Sequence, residues 1–189
     1  QFDRGFNLQV LGNLDEALIC HDEALRIDPF CGIALSHKGR TLAALSKKTE
    51  ALECCDEALR IVPGNPVAYV NRGDVRCQLH ELSGLVDYDK SIQLDPNYFI
   101  PYNNKGAAYY GQSRYSESLV YDNKAVELHP NGKSYHNKGR SLIALKRNEE
   151  ALFCFEKATQ SEPSRVDYWE LRAQLLRKLG RIKEVVECY

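Results

Sequence analysis

Five prolines, Pro29, Pro63, Pro96, Pro130 and Pro163, stand 34, 33, 34 and 33 residues apart along the chain. A glycine recurs in the same rhythm, at Gly5, Gly39, Gly73, Gly106 and Gly139. A period of this length marks one supersecondary unit repeated, and each unit must stack on its neighbours because it cannot bury its apolar face alone. The repeat therefore settles the architecture before any single residue is interpreted. A count of units replaces a count of globular domains across the 189 residues.

Two apolar-periodic stretches fill each unit. In the second unit they are Leu35, Leu42 and Leu45, then Ala51, Leu52, Cys55, Ala58, Leu59 and Ile61. Steps of three, four and seven dominate, which is the period of amphipathic helices and not of strands. Polar breaks separate the stretches, Gly12-Asn13 in the first unit and Ser46-Lys47-Lys48 in the second, so each unit reads as a helical hairpin. A glycine inside a helix costs about 1 kcal/mol against alanine, and meeting that cost five times implies a close approach of two helix backbones. Small residues seven apart on the second helix provide the matching face: Ala17 with Ala24, Ala51 with Ala58, Gly84 with Ser91, Ser118 with Ala125, Ala151 with Ala158. Each proline then ends its helix by driving the preceding residue out of the α region. Asp28-Pro29 and Asp95-Pro96 add turn chemistry.

This pattern resembles the tetratricopeptide repeat over the whole chain. The resemblance implies an all-α fold: an α-solenoid of stacked antiparallel helical hairpins in a right-handed superhelix, with roughly eleven or twelve helices. One array is expected over 1–189, divided as 1–29, 30–63, 64–96, 97–130, 131–163 and 164–189, the first and last units being incomplete. Trp169 stands four before Ala173, which occupies the glycine slot of the sixth unit. Unit three is one residue short between Gly73 and Pro96, most easily around His80-Glu81, and unit five between Pro130 and Gly139. Connections tolerate such losses best.

A net charge of -1 gives no overall pull towards nucleic acid or an anionic membrane. No apolar run approaches the roughly 18 residues of a membrane helix. Seven cysteines, Cys20, Cys31, Cys54, Cys55, Cys77, Cys154 and Cys188, are odd in number, and two are adjacent, which suits neither a disulfide framework nor a zinc ribbon. A soluble protein of a reducing compartment, cytoplasmic or nuclear, is expected. Gln1 opens a chain without methionine, which fits a segment of a longer polypeptide.

The resemblance also implies that the first helix of each hairpin lines a concave groove, with the residues two before, three before and one after the glycine looking into it. Two before stand Asp3, His37, Asn71, Asn104 and Asn137; three before stand Phe2, Ser36, Val70, Asn103 and His136; one after stand Phe6, Arg40, Asp74, Ala107 and Arg140. An asparagine amide donates twice and accepts, so Asn71, Asn104 and Asn137 form a ladder suited to holding the main chain of an extended peptide. That ladder resembles the one in the superhelix of the O-GlcNAc transferase family. The same residues also serve in local hydrogen bonds, and the sequence leaves both uses open. Arg40, Arg140 and His136 would add anion contacts and Asp74 would oppose them. Tyr110 suits either the core or the groove beside Asn103 and Asn104. The clamp with which some tetratricopeptide proteins grip acidic chaperone C-termini is carried only in part: Asn71 and Asn104 match its middle element, but no unit has its opening lysine and asparagine together, and Lys133 with Asn137 supplies half of its last element, so this use is not expected.

A cation precedes each glycine slot: Arg4, Lys38, Arg72, Lys105, Lys138 and Arg172. Six in register would make a basic stripe, but aliphatic stems covering a helix seam with the charge in water explain them more simply. Cys20, Cys54, Cys154 and Cys188 share a slot and read as packing residues, because equivalent positions in stacked units lie too far apart to share a metal. His21, His37, His80, His129 and His136 show no ligand spacing, and no catalytic constellation rises above the repeat pattern. The reading is a non-enzymatic scaffold without cofactor or metal. A protein or peptide partner would bind through Asn71, Asn103, Asn104, Asn137, His136, Arg140, His37, Arg40 and Tyr110. A substrate-recruiting region of a larger glycosyltransferase is the alternative from the enzyme class. Assembly through the array ends is the structural alternative, because Phe2, Phe6 and Val10 at one end and Val185, Val186 and Tyr189 at the other resemble interior faces.

Overall fold

A computed structural model describes Gly5 and residues 7–9, 11–81 and 83–186. Among these every regular element is helical: α1 (Leu14–Ile27), α2 (Gly32–Ala44), α3 (Lys48–Ile61), α4 (Pro66–Gln78), α5 (Ser83–Leu94), α6 (Phe99–Gly111), α7 (Tyr115–Leu128), α8 (Gly132–Ala144), α9 (Asn148–Ser161), α10 (Val166–Lys178) and the short α11 (Ile182–Val185). Phe2, Asp3, Arg4, Phe6, Val10, Cys188 and Tyr189, all considered above, lie outside the described residues.

The prolines act as expected. Helices α1, α3, α5, α7 and α9 end at Ile27, Ile61, Leu94, Leu128 and Ser161, two residues before Pro29, Pro63, Pro96, Pro130 and Pro163. Two of the following helices, α4 and α8, start on side-chain caps: the Asn65 side chain accepts from the N–H groups of Val67 and Ala68, and Asn131 accepts from that of Ser134. Between the two helices of a hairpin the chain makes a Schellman turn. Its central residue is left-handed at Gly12, Ser46, His80, Ser113, Lys146 and Gly180, with φ between 60° and 83°. In the second hairpin Lys47 N–H reaches Leu42 O and Ser46 N–H reaches Ala43 O. The expected break at Ser46-Lys47-Lys48 is thereby corrected, since Lys48 is already the first residue of α3.

The helix contacts fix where the missing residues fall. A Cβ on Gly39 would stand 3.0 Å from Ala51 O, and one on Gly73 would stand 3.0 Å from Gly84 O. Gly84 is thus the structural equivalent of Ala51, and unit three lost its residue between His80 and Gly84. In unit five α8 starts two residues after Pro130, where α2, α4, α6 and α10 start three after their prolines.

The chain divides into two compact units, residues 1–96 and 97–189. In the first, each helix packs on the next, and the leading helices α2 and α4 also touch. Its core is built from Leu42, Ala43, Ala51 and Val75, with Ala58, Leu59 and Ala68 forming a second cluster. In the second unit α6 and α8 touch in the same way, and one cluster gathers Leu119, Leu142, Leu152, Phe155, Leu175, Leu176 and Val185. The small residues predicted to face partner helices are all buried.

Candidate functional site

The leading helices α2, α4, α6 and α8 carry every residue proposed for binding. In the first unit, Asn71 on α4 is turned inward. It is 2% exposed, and its side-chain amide donates to the carbonyl and the hydroxyl of Ser36 on α2, at 3.0 and 2.8 Å. Both of its N–H bonds are spent between neighbouring leading helices. His37 and Arg40 on α2 are half-buried. Burial, with the charge of Arg40 and the ring of His21, lowers the His37 pKa to about 4. His21 lies beside it at a ring separation of 6.0 Å, fully buried, with neither ring nitrogen hydrogen-bonded among the described residues. Its pKa is lowered too, chiefly by burial. Both imidazoles are neutral at pH 7. Asp74 accepts a 2.6 Å bond from the Tyr88 hydroxyl.

The second unit is arranged differently. Asn103 on α6 is fully buried, donates to Ser134 Oγ at 2.9 Å and accepts from Asn137 Nδ2 at 3.4 Å. Asn104 and Asn137 stay half-buried. His136 stacks on Tyr168 at 5.0 Å, and its pKa is lowered by burial and by Arg140. Tyr110 is half-buried in contact with Tyr115, and the guanidinium of Arg140 lies over its ring at 4.3 Å. No carboxylate pairs with Arg140 among the described residues. Stacking holds a planar cation in one orientation with its N–H edges available. Beneath this pair a cavity of about 10 Å³ is lined by Ala107, Tyr110, Ser118, Asp122, Asn137, Arg140 and Ser141.

Asp122 belongs to a column that the sequence reading missed. His21, Cys55, Tyr88, Asp122 and Phe155 each press on the glycine of their hairpin, Gly5, Gly39, Gly73, Gly106 and Gly139. All five stand eight residues before a proline, and that constant offset was the available signal. A second missed column, two residues earlier, exposes Ile19, Val86, Val120 and Phe153 on the trailing helices.

Contrary to the expectation from sequence, four of the five described cations before the glycine slots do not leave their charges in water. Lys38 pairs with Asp22 at 2.7 Å, Arg72 with Asp56 at 2.7 Å and Arg172 with Glu156 at 3.7 Å, each acid lying on the preceding trailing helix. Arg72 also grips the buried Asp87, joined there by Arg76. Lys105 lies over the Tyr121 ring at 4.6 Å. Lys138 has no carboxylate within ion-pair distance among the described residues, because Asn123 occupies the acidic slot. Much of the apparent basic stripe is therefore neutralised internally.

Cys20, Cys55 and Cys154 are buried, and the described cysteines are free thiols. Burial pushes Cys55 up to about 12 and Cys154 up to about 11, which makes them poor nucleophiles. No group of three or more His, Cys, Asp or Glu among the described residues could hold a metal ion, and no described helix is long and apolar enough to cross a membrane. At the C-terminal end Val185 is buried in the core, whereas Val186 is 76% exposed.

Comparison with known proteins agrees with the geometry. Family models described as tetratricopeptide repeat match residues 2–66 and 132–165. A stretch of 43 residues is 44% identical to stress-induced-phosphoprotein 1 of Caenorhabditis elegans; it covers 23% of this chain and 13% of that protein. Among solved structures, a thermophilic TPR protein of Thermus thermophilus superposes with a TM-score of 0.84 at 20% identity, covering 93% of this chain and 96% of that one. The type IV pilus biogenesis factor PilW gives 0.82 at 20% identity, covering 99% and 88%. YrrB, described as a TPR protein with an unusual peptide-binding site, gives 0.61 at 20% identity, covering 90% and 89%.

Proposed function

We infer that this chain of tetratricopeptide repeats is a non-catalytic interaction scaffold that binds an extended peptide segment on the leading helices of residues 97–189. The observation that carries the reading is the Arg140 guanidinium over the Tyr110 ring at 4.3 Å, with no carboxylate within ion-pair distance among the described residues and Asn137 lining the same cavity; Asn104 is half-buried on α6. A stacked guanidinium and side-chain amides supply fixed donors for the carbonyls of a bound main chain, and the aromatic ring supplies apolar area at small entropic cost. His136 borders the same face. Asn71 and Asn103 instead hold adjacent leading helices together through Ser36 and Ser134. Within residues 1–96, His37 and Arg40 on α2 offer a contact of their own.

Panning a displayed library of random linear peptides on the immobilised chain tests this. Enriched peptides should lose at least about tenfold in affinity with Asn137→Ala, Asn104→Ala and Arg140→Ala, the size of a lost hydrogen bond to a charged or desolvated group. Failure to enrich any peptide, or affinities indifferent to all three changes, would overturn the reading.

A further inference from the structure

The seam between the α6–α7 hairpin and α8 differs from the others at three positions, two on α7 and one on α8. Where Ser118 stands, the other hairpins have Ala17, Ala51, Gly84 and Ala151; where Asp122 stands, they have His21, Cys55, Tyr88 and Phe155. Ser141 reaches the same point from α8, at a slot held elsewhere by Thr41, Val75, Ala108 and Leu175. A carboxylate and two hydroxyls thus meet in this seam, where the equivalent sets Ala51, Cys55 and Val75 and Ala151, Phe155 and Leu175 are apolar.

The substitution builds a pocket. Asp122 is fully buried. Its Oδ2 accepts from Ser141 Oγ at 2.6 Å, and Ser118 Oγ lies 3.2 Å from the same oxygen. Its Oδ1 has no hydrogen-bond partner among the described residues. The other buried aspartate, Asp87, is held by two arginines, so the charge of Asp122 is not met in the manner this fold uses elsewhere. Leaving a buried acceptor unmatched costs free energy, and the cavity that Asp122 lines, about 10 Å³, has room for one water-sized group. Arg140 and Asn137 line the same cavity.

We propose that this cavity is a subsite for the hydroxyl of a serine or threonine in the bound segment, an assignment that rests on the peptide-binding reading above. An anionic tip would meet Asp122, and a cationic one would meet Arg140. A carboxamide brings two heavy atoms where one fits. A hydroxyl is a single atom that donates to Oδ1 of Asp122 and accepts from Arg140 or Asn137. Burial raises the Asp122 pKa to about 6, against the pull of Ser141, Ser118, Arg140 and Lys138, so the group is ionised at neutral pH and Oδ1 is an acceptor. Phosphorylation of the seated hydroxyl would bring a dianion and three further oxygens against the carboxylate, and would expel it.

Peptides enriched on the intact chain by library panning provide the test. One position should select serine or threonine, its change to alanine should weaken binding roughly tenfold, and phosphoserine there should abolish it. In the Asp122→Asn variant, checked for folding by circular dichroism, the serine and threonine preference should disappear while peptides still bind. Peptides that bind the wild type without a hydroxyl preference, or with one that Asp122→Asn leaves intact, overturn the subsite and leave the wider binding reading standing. Tolerance of phosphoserine by the wild type also overturns the subsite, and does so even if Asp122→Asn fails to fold. If no peptide binds, both readings fall.

Discussion

Asn71 gives both N–H bonds of its side-chain amide to Ser36, one to the carbonyl at 3.0 Å and one to the hydroxyl at 2.8 Å. The pair joins α4 to α2 inside the first unit. Asn71→Ala should therefore cost about 1–3 kcal/mol in urea unfolding, because two buried acceptors lose their donor. Peptide affinity should not change. An affinity loss at unaltered stability would place Asn71 among ligand contacts instead.

Glycines within one chain should respond in opposite directions to alanine. A Cβ on Gly139 would stand 2.9 Å from two carbons of the buried Phe155 ring, so Gly139→Ala should destabilise by roughly 1–3 kcal/mol. Gly111, at the end of α6, has nothing within 4 Å of that position. Gly111→Ala should stabilise by about 0.5 kcal/mol through helix propensity. Thermal midpoints of the two variants decide the matter, and a shared sign would contradict the contacts.

Lys146 occupies its Schellman turn at φ 62°, a conformation that costs a side-chain-bearing residue about 1 kcal/mol. Lys146→Gly should recover part of this, a gain of about 0.5 kcal/mol after the greater freedom of glycine in the unfolded chain is counted. Gly180→Ala, at φ 73°, should lose a similar amount. Chemical denaturation of both variants at pH 7 measures the two effects.

Two groups should give the stability profile opposing slopes in acid. His37 titrates near 4 in the folded chain against an ordinary value of 6.5, so the unfolded chain takes up its proton first as pH falls. Stability is complete above 6.5 and declines towards pH 4. Asp122 titrates near 6 against an ordinary 3.8, so the folded chain binds its proton first and gains stability between pH 6 and 3.8. In urea midpoints taken from pH 7 to 4, His37→Gln should flatten the acid decline and Asp122→Asn should steepen it. The reverse pattern would show that the two environments are misassigned.

The backbone of this fold was readable from spacing because its devices act locally. A proline stops a helix by its own ring, so the ends of α1, α3, α5, α7 and α9 could be placed from the chain alone, as could the connection that lost a residue before Gly84. Side-chain direction was not readable in the same way. Asn71, Asn104 and Asn137 share one column and Asn103 stands in the next, but whether an amide meets a neighbouring serine depends on how adjacent leading helices approach. The presence of Ser36 and Ser134 at the receiving positions was visible only afterwards. Asp122 stands in the column next to that of Cys20, Cys54 and Cys154, and the two are not distinguished by spacing. On a helix, adjacent columns are about 100° apart, and only packing shows which one meets the glycine.

The ion pairs of Lys38 with Asp22, Arg72 with Asp56 and Arg172 with Glu156 all run from a leading helix back to the trailing helix before it. Such pairs tie a hairpin to its predecessor, and opening one of these joints breaks an ion pair. The seam between Lys138 and Asn123 lacks this matching. It is the joint at which a hairpin could be inserted, duplicated or exchanged with least electrostatic penalty, and hence where the array is most free to change its length.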